Sequence, residues 1–140
     1  MHIVAYQSRH FGAGKTLWEQ VFSDDPDWNK AAAAIPANLQ ERPDLFLLAL
    51  QDETVVGAIV AGYDGRRGWL YSAAVLADHR GLGIGTALVK EAESRLRALG
   101  CLKINLQVRR LNSGAAAFYE KLGYRPEDRI SMGKRLEGHG

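Results

Sequence analysis

Apolar residues recur along this chain with two spacings that together predict a sheet flanked by helices. Short apolar runs rich in β-branched and aromatic residues predict strands, and apolar residues that return every three or four positions predict helices. The predicted strands are His2–Tyr6, Leu45–Leu50, Thr54–Tyr63, Trp69–Val75, Leu102–Val108 and Ile130–Leu136. The predicted helices are Ser8–Phe22, Trp28–Glu41, Ile84–Leu99 and Ala115–Leu122, the second of which Pro36 must kink or split.

Polar and glycine-rich segments mark the connections between these elements. The segment 51–53 predicts a hairpin between two apolar runs, and the segment 64–68 turns the chain into the strand Trp69–Val75. Asn112 is a natural N-cap for the last helix, and Gly123 is a natural stop.

The most informative stretch joins the strand Trp69–Val75 to the helix that begins at Ile84. The first N–H groups of a helix have no partner within it, and the helix dipole adds partial positive charge there. Glycines in such a loop suit an anion, although they also serve a simple tight turn. The candidate anion-binding residues are Arg80, Gly81, Leu82, Gly83, Ile84, Gly85 and Thr86.

This stretch resembles motif A of the GNAT superfamily of N-acetyltransferases, with Arg80, Gly83 and Gly85 in the motif's key positions. The resemblance implies that the loop amides hold the pyrophosphate of acetyl-coenzyme A. It also implies that the preceding strand splays from its neighbour and that the backbone at Val75 contacts the pantetheine arm. Ala77 departs from the pattern, because many relatives carry proline there.

The segment from Asn112 to Tyr124 resembles motif B of the same family. The resemblance implies that the Tyr119 hydroxyl gives a proton to the departing thiolate and that Asn112 touches the coenzyme. Judged alone, Tyr119 is a core aromatic that shares a helix face with Phe118 and Leu122, and Asn112 is a helix cap.

The resemblance covers essentially the whole chain and implies an α/β (α+β) fold. The expected architecture is one GNAT domain over residues 1–140, with a mixed, twisted sheet of six to seven strands flanked by about four helices. Residues 62–68 and 131–136 further resemble the small bacterial YpeA-type subgroup. The implied reaction is direct acetyl transfer from acetyl-coenzyme A to a primary amine of a small molecule or protein, without a metal.

The sequence lacks the glutamate that serves as general base in some relatives. Relatives carry glutamate at one of two positions, which here are Gln107 and Trp69, and neither an amide nor an indole accepts a proton. Two alternatives stay open. Either a water chain lined by Tyr71, Asn105 and Gln107 removes the proton, or the amine arrives already neutral.

Two segments compete as the determinant of the acceptor. An acidic turn beside Trp28, containing Asp24, Asp25 and Asp27, suits a cationic amine, although acidic turns are commonly just solvated. Alternatively, Arg66 and Arg67 suit a carboxylate on the acceptor.

Composition narrows the class of protein. The 140 residues are 46% hydrophobic and 24% charged, without a signal peptide or transmembrane run, and the lone Cys101 excludes an internal disulfide. These features predict a soluble, cytoplasmic protein.

Charge is distributed unevenly along the chain. Residues 1–60 carry four Lys and Arg against eight Asp and Glu, whereas residues 61–140 carry fourteen against eight, so the half with the predicted anion site is basic. No basic stripe interleaved with aromatic residues indicates nucleic acid.

Three other functions deserve comparison with acetyl transfer. A non-catalytic acyl-coenzyme A sensor would explain the missing carboxylate base. A nucleotide triphosphatase is suggested by Gly14-Lys15-Thr16, but Arg9 stands where a P-loop needs its leading glycine. A dinucleotide oxidoreductase is disfavoured because Thr86 replaces the third glycine of that fingerprint. The sequence leaves a homodimer through exposed sheet edges open.

Overall fold

The computed structural model describes residues 1–7, 10, 16, 17 and 43–136, and it divides the chain into two compact units. The first unit spans residues 1–107 and the second spans residues 108–140. The predicted helices over residues 8–22 and 28–41 lie mostly outside the described residues. Within the first of them, Thr16 and Leu17 are helical and Leu17 is buried.

The first unit is built on a five-stranded sheet with the order β1-β2-β3-β4-β5. Its first four strands pair antiparallel, and β5 pairs parallel with β4, so the sheet is mixed. The strands are β1 (His2–Ala5), β2 (Phe46–Gln51), β3 (Thr54–Tyr63), β4 (Gly68–Val75) and β5 (Ile104–Leu106).

Two tight turns fix the register of the central strands. In the β2–β3 hairpin, Asp52 and Glu53 have φ of 50° and 68°, the paired left-handed residues that close a two-residue hairpin with the twist of its strands. In the β3–β4 turn, the Asp64 carboxylate accepts hydrogen bonds from the backbone N–H groups of Arg66 and Arg67, both at 2.8 Å. Both predicted turns are therefore present.

One face of the sheet is covered by the helix α1 (Ile84–Ala98), whose buried residues recur at helical spacing. These buried residues are Ile84, Leu88, Val89, Ala92 and Leu96. The opposite face carries a second buried cluster, in which the ring of Tyr6 stacks on Phe46 at 4.7 Å between ring centroids. The sheet therefore has buried apolar side chains on both faces.

The second unit contains the helix α2 (Ser113–Lys121). The side chain of Asn112 caps it by accepting a hydrogen bond from the Ala115 N–H at 3.0 Å. Beyond the helix, Gly123 adopts φ of 100°, a conformation that ends helices with little strain when the residue is glycine. The predicted cap and stop are therefore both present, and the helix begins two residues earlier than expected.

Two strand predictions differ from the structure, which shows five strands among its described residues rather than six to seven. β5 spans Ile104–Leu106 instead of residues 102–108, because its pairing with β4 is limited to three positions. Residues 130–136 form no strand, and the side chains of Ile130, Met132 and Leu136 are almost fully exposed. The alternation of apolar residues there covers only Ile130 and Met132 before Gly133 interrupts it. The segment therefore has few apolar side chains that could pack in a sheet.

Candidate active site

The end of β4 turns sharply into α1 through a segment, Arg80–Thr86, that we call the glycine corner. Gly81 and Gly83 have φ of 81° and 83°, which strongly favour glycine, although added Cβ atoms would meet nothing within 4 Å. The requirement for glycine at these two positions is therefore conformational. Together they swing the chain from strand direction into the first turn of the helix.

The backbone amides of the glycine corner point to an anion site. Gly83 caps α1 without a side-chain hydrogen bond, and the first helical turn carries no acidic residue. Within the described part of the chain, Arg80 donates its N–H to Ala77 and Ala87 donates its N–H to Gly83, and outside the helix's own bonds no amide between them donates to a backbone carbonyl. A row of such amides at the positive end of a helix dipole suits phosphate oxygens.

Arg80 connects the glycine corner back to β4. Its Nε donates a hydrogen bond to the Val75 carbonyl at 3.2 Å, and the side chain is exposed. This bond holds the guanidinium at the end of β4, so a fixed positive charge stands beside the amides.

β4 keeps one side unpaired next to the corner. Its parallel ladder with β5 covers only Gly68, Trp69 and Leu70, which face Ile104, Asn105 and Leu106 in that order. From Tyr71 to Val75, no strand among the described residues pairs with this side, which we call the open edge of β4. An extended ligand can bind such an edge through backbone hydrogen bonds, in the manner of an added strand.

The backbone of Val75 faces the open edge. The neighbouring Leu76 donates its N–H to the Val56 carbonyl on β3 at 2.9 Å. Because successive residues of a strand direct their N–H and C=O groups to opposite sides, those of Val75 point away from β3. The bond from Arg80 to the Val75 carbonyl agrees with this direction.

A β-bulge lies where the β4–β5 ladder ends. Val60 faces Ser72 and Ala61 faces Leu70, so Tyr71 is the extra residue on β4. Its exposed ring lies over Gly62, where an added Cβ would come within 2.6 Å of Tyr71 Cε2. Bulges change the direction of backbone groups locally and are common beside active sites. This bulge was not predicted, although Gly62 within a predicted strand is a sequence signal for one.

The other two residues predicted to line the water chain, Asn105 and Gln107, lie on β5 and just after it. Asn105 faces Trp69 across the ladder, and Gln107 is exposed one residue beyond β5. Tyr71 and Gln107 therefore lie just beyond the end of the β4–β5 ladder, and Asn105 lies within it. Trp28 and the acidic turn 23–27 lie outside the described residues.

Tyr119 belongs to an aromatic cluster in the second unit. Its ring makes edge contacts with Phe118 and Tyr124, with ring centroids 5.0 Å and 5.6 Å away. Burial raises the pKa of Tyr119 above the ordinary tyrosine value of 10.0, because removal from water disfavours the charged phenolate. The phenol therefore stays protonated at neutral pH.

The described residues offer neither a metal site nor a membrane-spanning helix. No group of three or more His, Cys, Asp or Glu side chains is placed to hold a metal ion there. No helix in the same part of the chain combines the length and apolar character needed to cross a membrane. Cys101 is buried, and its thiol donates a hydrogen bond to the Lys103 carbonyl at 3.2 Å.

Comparison with known proteins identifies the class to which this fold and glycine corner belong. The profile of the Acetyltransferase (GNAT) family matches residues 15–124. The chain therefore belongs to the GNAT acetyltransferase family and is an acyltransferase enzyme. The predicted family, enzyme class and mixed α/β fold are confirmed.

Individual relatives cover nearly the full chain. An acetyltransferase of Pectobacterium atrosepticum is 43% identical over 136 residues, which are 97% of this chain and 96% of that protein. The solved PaiA N-acetyltransferase of Thermoplasma acidophilum, in complex with coenzyme A, has a TM-score of 0.79 at 22% identity and 92% coverage of each chain. The NatC complex bound to a Gag peptide and CoA has a TM-score of 0.78 at 26% identity, covering 93% of this chain and 89% of that one.

Proposed function

We propose that this protein is an acetyl-coenzyme A-dependent N-acetyltransferase that moves an acetyl group directly from the thioester to a primary amine. The observation that carries the proposal is the continuity of the open edge of β4 with the amides of the glycine corner. An extended arm and a diphosphate are the two parts of coenzyme A that these features suit. The solved PaiA relative bound to coenzyme A supports the same ligand.

In this proposal the amides from Gly81 to Thr86 hold the diphosphate, and Arg80 adds its charge beside them. Val75 contributes backbone contacts to the pantetheine arm, and its carbonyl already accepts a bond from Arg80. Asn112 touches the coenzyme in addition to capping α2, since the capping bond to Ala115 uses its Oδ1 and leaves the amide nitrogen for another contact. Acetyl-coenzyme A supplies the activated acyl group.

Tyr119 is the proposed proton donor to the departing thiolate. Its phenol remains protonated at working pH, and a phenol is a good hydrogen-bond donor to a thiolate whose conjugate acid has a pKa of about 8.5. Because burial raises the pKa of Tyr119, complete proton transfer is less favourable than from an exposed tyrosine. Its main contribution is therefore a strong hydrogen bond that stabilises the developing negative charge.

No carboxylate is available at position 107 or 69 to accept the proton of the amine, since these residues are Gln107 and Trp69. A water chain beside Tyr71, Asn105 and Gln107 removes it, or the amine binds in its neutral form. Both routes make the reaction rate rise with pH according to the ionisation of the amine and water rather than that of a buried carboxyl group. A steep acidic limb near pH 4–5 in kcat/KM, the range of carboxyl pKa values of about 4, would contradict both routes.

The acceptor is an amine on a small molecule or a protein. The NatC structure was solved with a Gag peptide, which makes peptide amines one class to include in a screen. Residues 62–68 and 131–136 resemble the YpeA-type subgroup, but this resemblance does not indicate which amine is the acceptor.

A Tyr119→Phe variant tests the proposal. We expect turnover to fall about ten- to a thousandfold, with affinity for coenzyme A within about twofold of wild type, because the phenol acts on the leaving group rather than on binding. Release of free thiol with a panel of amines, peptides and polyamines measures turnover, and calorimetry measures affinity. The control is Tyr124→Phe, which removes a hydroxyl from the same aromatic cluster and should keep most of the activity.

An acyl-coenzyme A sensor is the second candidate, favoured by Gln107 and Trp69 in place of a carboxylate base. Tight binding of coenzyme A without thiol release across the whole panel would support the sensor. Absence of coenzyme A binding would refute both functions.

A further inference from the structure

A basic depression of about 260 Å³ lies at the β3–β4 turn, at the end of β4 opposite the glycine corner. It is lined by Asp64, Arg66, Arg67 and Lys103. The Lys103 carbonyl accepts a hydrogen bond from the Gly68 N–H at 2.9 Å, which holds this lysine's backbone against the start of β4. Three cationic residues from two distant segments of the chain are thereby brought to one place.

One acidic residue faces three cationic residues in the depression, so the net charge of its lining is positive. The carboxylate of Asp64 accepts two backbone N–H groups, and these bonds hold the pKa of Asp64 below its ordinary value, the bond from Arg67 contributing most. Asp64 therefore shapes the turn. Among the residues that the structure describes, neither the Arg66 nor the Arg67 guanidinium makes a hydrogen bond or an ion pair.

In the proposed function the acceptor loses its proton to water beside Tyr71, at the start of the open edge of β4, so transfer is placed beside the bulge at this residue. The bulge at Tyr71 lies three residues beyond Gly68, which is about 10 Å at roughly 3.3 Å per residue of strand. An acceptor whose amine meets the acetyl group beside the bulge therefore reaches the two arginines with a group about 10 Å from its nitrogen. Guanidinium groups bind planar carboxylates through paired hydrogen bonds.

We infer that Arg66 and Arg67 bind a carboxylate of the acceptor, so that the enzyme prefers amines carrying a carboxylate about 10 Å from the reactive nitrogen. This inference rests on the proposed acetyl transfer and names its acceptor class. The arginines act as specificity-determining residues and take no part in the chemical step.

Glycine peptides of two to five residues test this inference, because their length sets the distance from the amine to the terminal carboxylate. Each peptide is used as the free acid and as the C-terminal carboxamide. Three extended residues span about 10 Å. We expect kcat/KM for the free acid to exceed that for the carboxamide about tenfold at three residues, through KM, and the preference to shrink for the dipeptide. In an Arg66→Gln/Arg67→Gln variant, the preference should disappear while the rate with the carboxamide stays unchanged.

The matched control is Lys90→Gln/Arg97→Gln, which removes two positive charges from exposed positions of α1. It should keep the preference for the acid. Equal rates with acid and carboxamide in wild type, or a preference that survives in the Arg66 and Arg67 variant, would overturn the inference while leaving acetyl transfer intact.

A second measurement distinguishes failure of the proposed function from failure of the inference. If no amine in the broad panel releases thiol, acetyl transfer fails. The triglycine acid and its carboxamide are then titrated into coenzyme A-loaded protein and followed by NMR. Acid-specific shifts at the amides of residues 66–68 that vanish in the double variant support the carboxylate site, and their absence overturns it.

Discussion

At the scale of single residues, Tyr6 and Tyr119 are both affected by burial but differ in their surroundings. Burial raises the pKa of each phenol. Tyr119 lies among aromatic rings in the second unit, where we propose a catalytic role. Tyr6 is 4% exposed in the sheet core, and its hydroxyl has no hydrogen-bond partner among the described residues. A buried hydroxyl without a partner lowers the free energy of unfolding, so we expect the Tyr6 hydroxyl to destabilise the fold.

Replacing Tyr6 with phenylalanine should stabilise the protein. We expect the free energy of unfolding at pH 7 to rise by about 1 kcal/mol, since the ring stays stacked on Phe46 and the unsatisfied hydroxyl is removed. The pH dependence follows from the raised pKa of Tyr6. The folded state keeps this proton above pH 10.0 whereas the unfolded state loses it, so wild-type stability falls as pH rises above that value. The variant should lose less stability there.

Urea denaturation at pH 7 and at about pH 10.5 measures both effects. Tyr63→Phe, at the partly exposed end of β3, is the control and should change the pH 7 stability by less than about 0.5 kcal/mol. A Tyr6→Phe protein less stable than wild type at pH 7 would show that the hydroxyl is satisfied.

Residue-level predictions succeeded where the signal is local in sequence. The Asn112 cap and the Gly123 stop depend on neighbours within four residues, and both are present. The bond from Arg80 to Val75 and the extra residue at Tyr71 depend on how strands register and where the chain returns. The spacing of residues does not specify the bond from Arg80 to Val75, and Gly62 within a strand is the one sequence signal for the bulge.

At the scale of elements, the segment from β4 through the glycine corner to α1 is the most predictable part of the chain. The strand starts one residue earlier than expected and the helix starts at the expected Ile84. Apolar runs, glycines and helical spacing specify this order within a short window. β5 and residues 130–136 were predicted less well, because a strand exists only where another edge pairs with it.

Gly57 controls how closely α1 approaches the sheet, and Gly57→Ala tests that contact. An added Cβ would lie 3.1 Å from each of three atoms, Ile84 Cγ2, Leu88 Cδ1 and the Ala74 carbonyl oxygen, so these neighbours must move by a few tenths of an ångström. We expect the free energy of unfolding to fall by about 1–2 kcal/mol. Affinity for coenzyme A should fall about three- to tenfold, because Ile84 is part of the glycine corner.

Denaturation and calorimetry with coenzyme A measure the two effects of Gly57→Ala. The control is Gly133→Ala, because a Cβ at Gly133 meets nothing within 4 Å. That change should leave both quantities close to wild type. Lower stability with unchanged affinity for coenzyme A would show that contact with Gly57 does not position the glycine corner.

At the scale of the whole molecule, the two sequence motifs belong to different compact units. The glycine corner and the open edge lie in residues 1–107, whereas Asn112 and Tyr119 lie in residues 108–140. The expectation of one domain over residues 1–140 therefore stays a prediction. The first unit can be tested for coenzyme A binding by itself, because we propose that the diphosphate and the pantetheine arm bind to two separate segments of it, the glycine corner and the open edge.

Amide hydrogen exchange, followed residue by residue by NMR, separates those two assignments. Saturating coenzyme A should slow exchange about tenfold or more both in the glycine corner and at the amides of the open edge that point away from β3, including that of Val75. Saturating ADP carries a diphosphate without the pantetheine arm, so it should protect the glycine corner alone. Amides of β3 that bond to β2 serve as the internal reference and should change little. Protection of the open edge by ADP, or of neither segment by coenzyme A, would mean that the unpaired side of β4 is not where the arm binds.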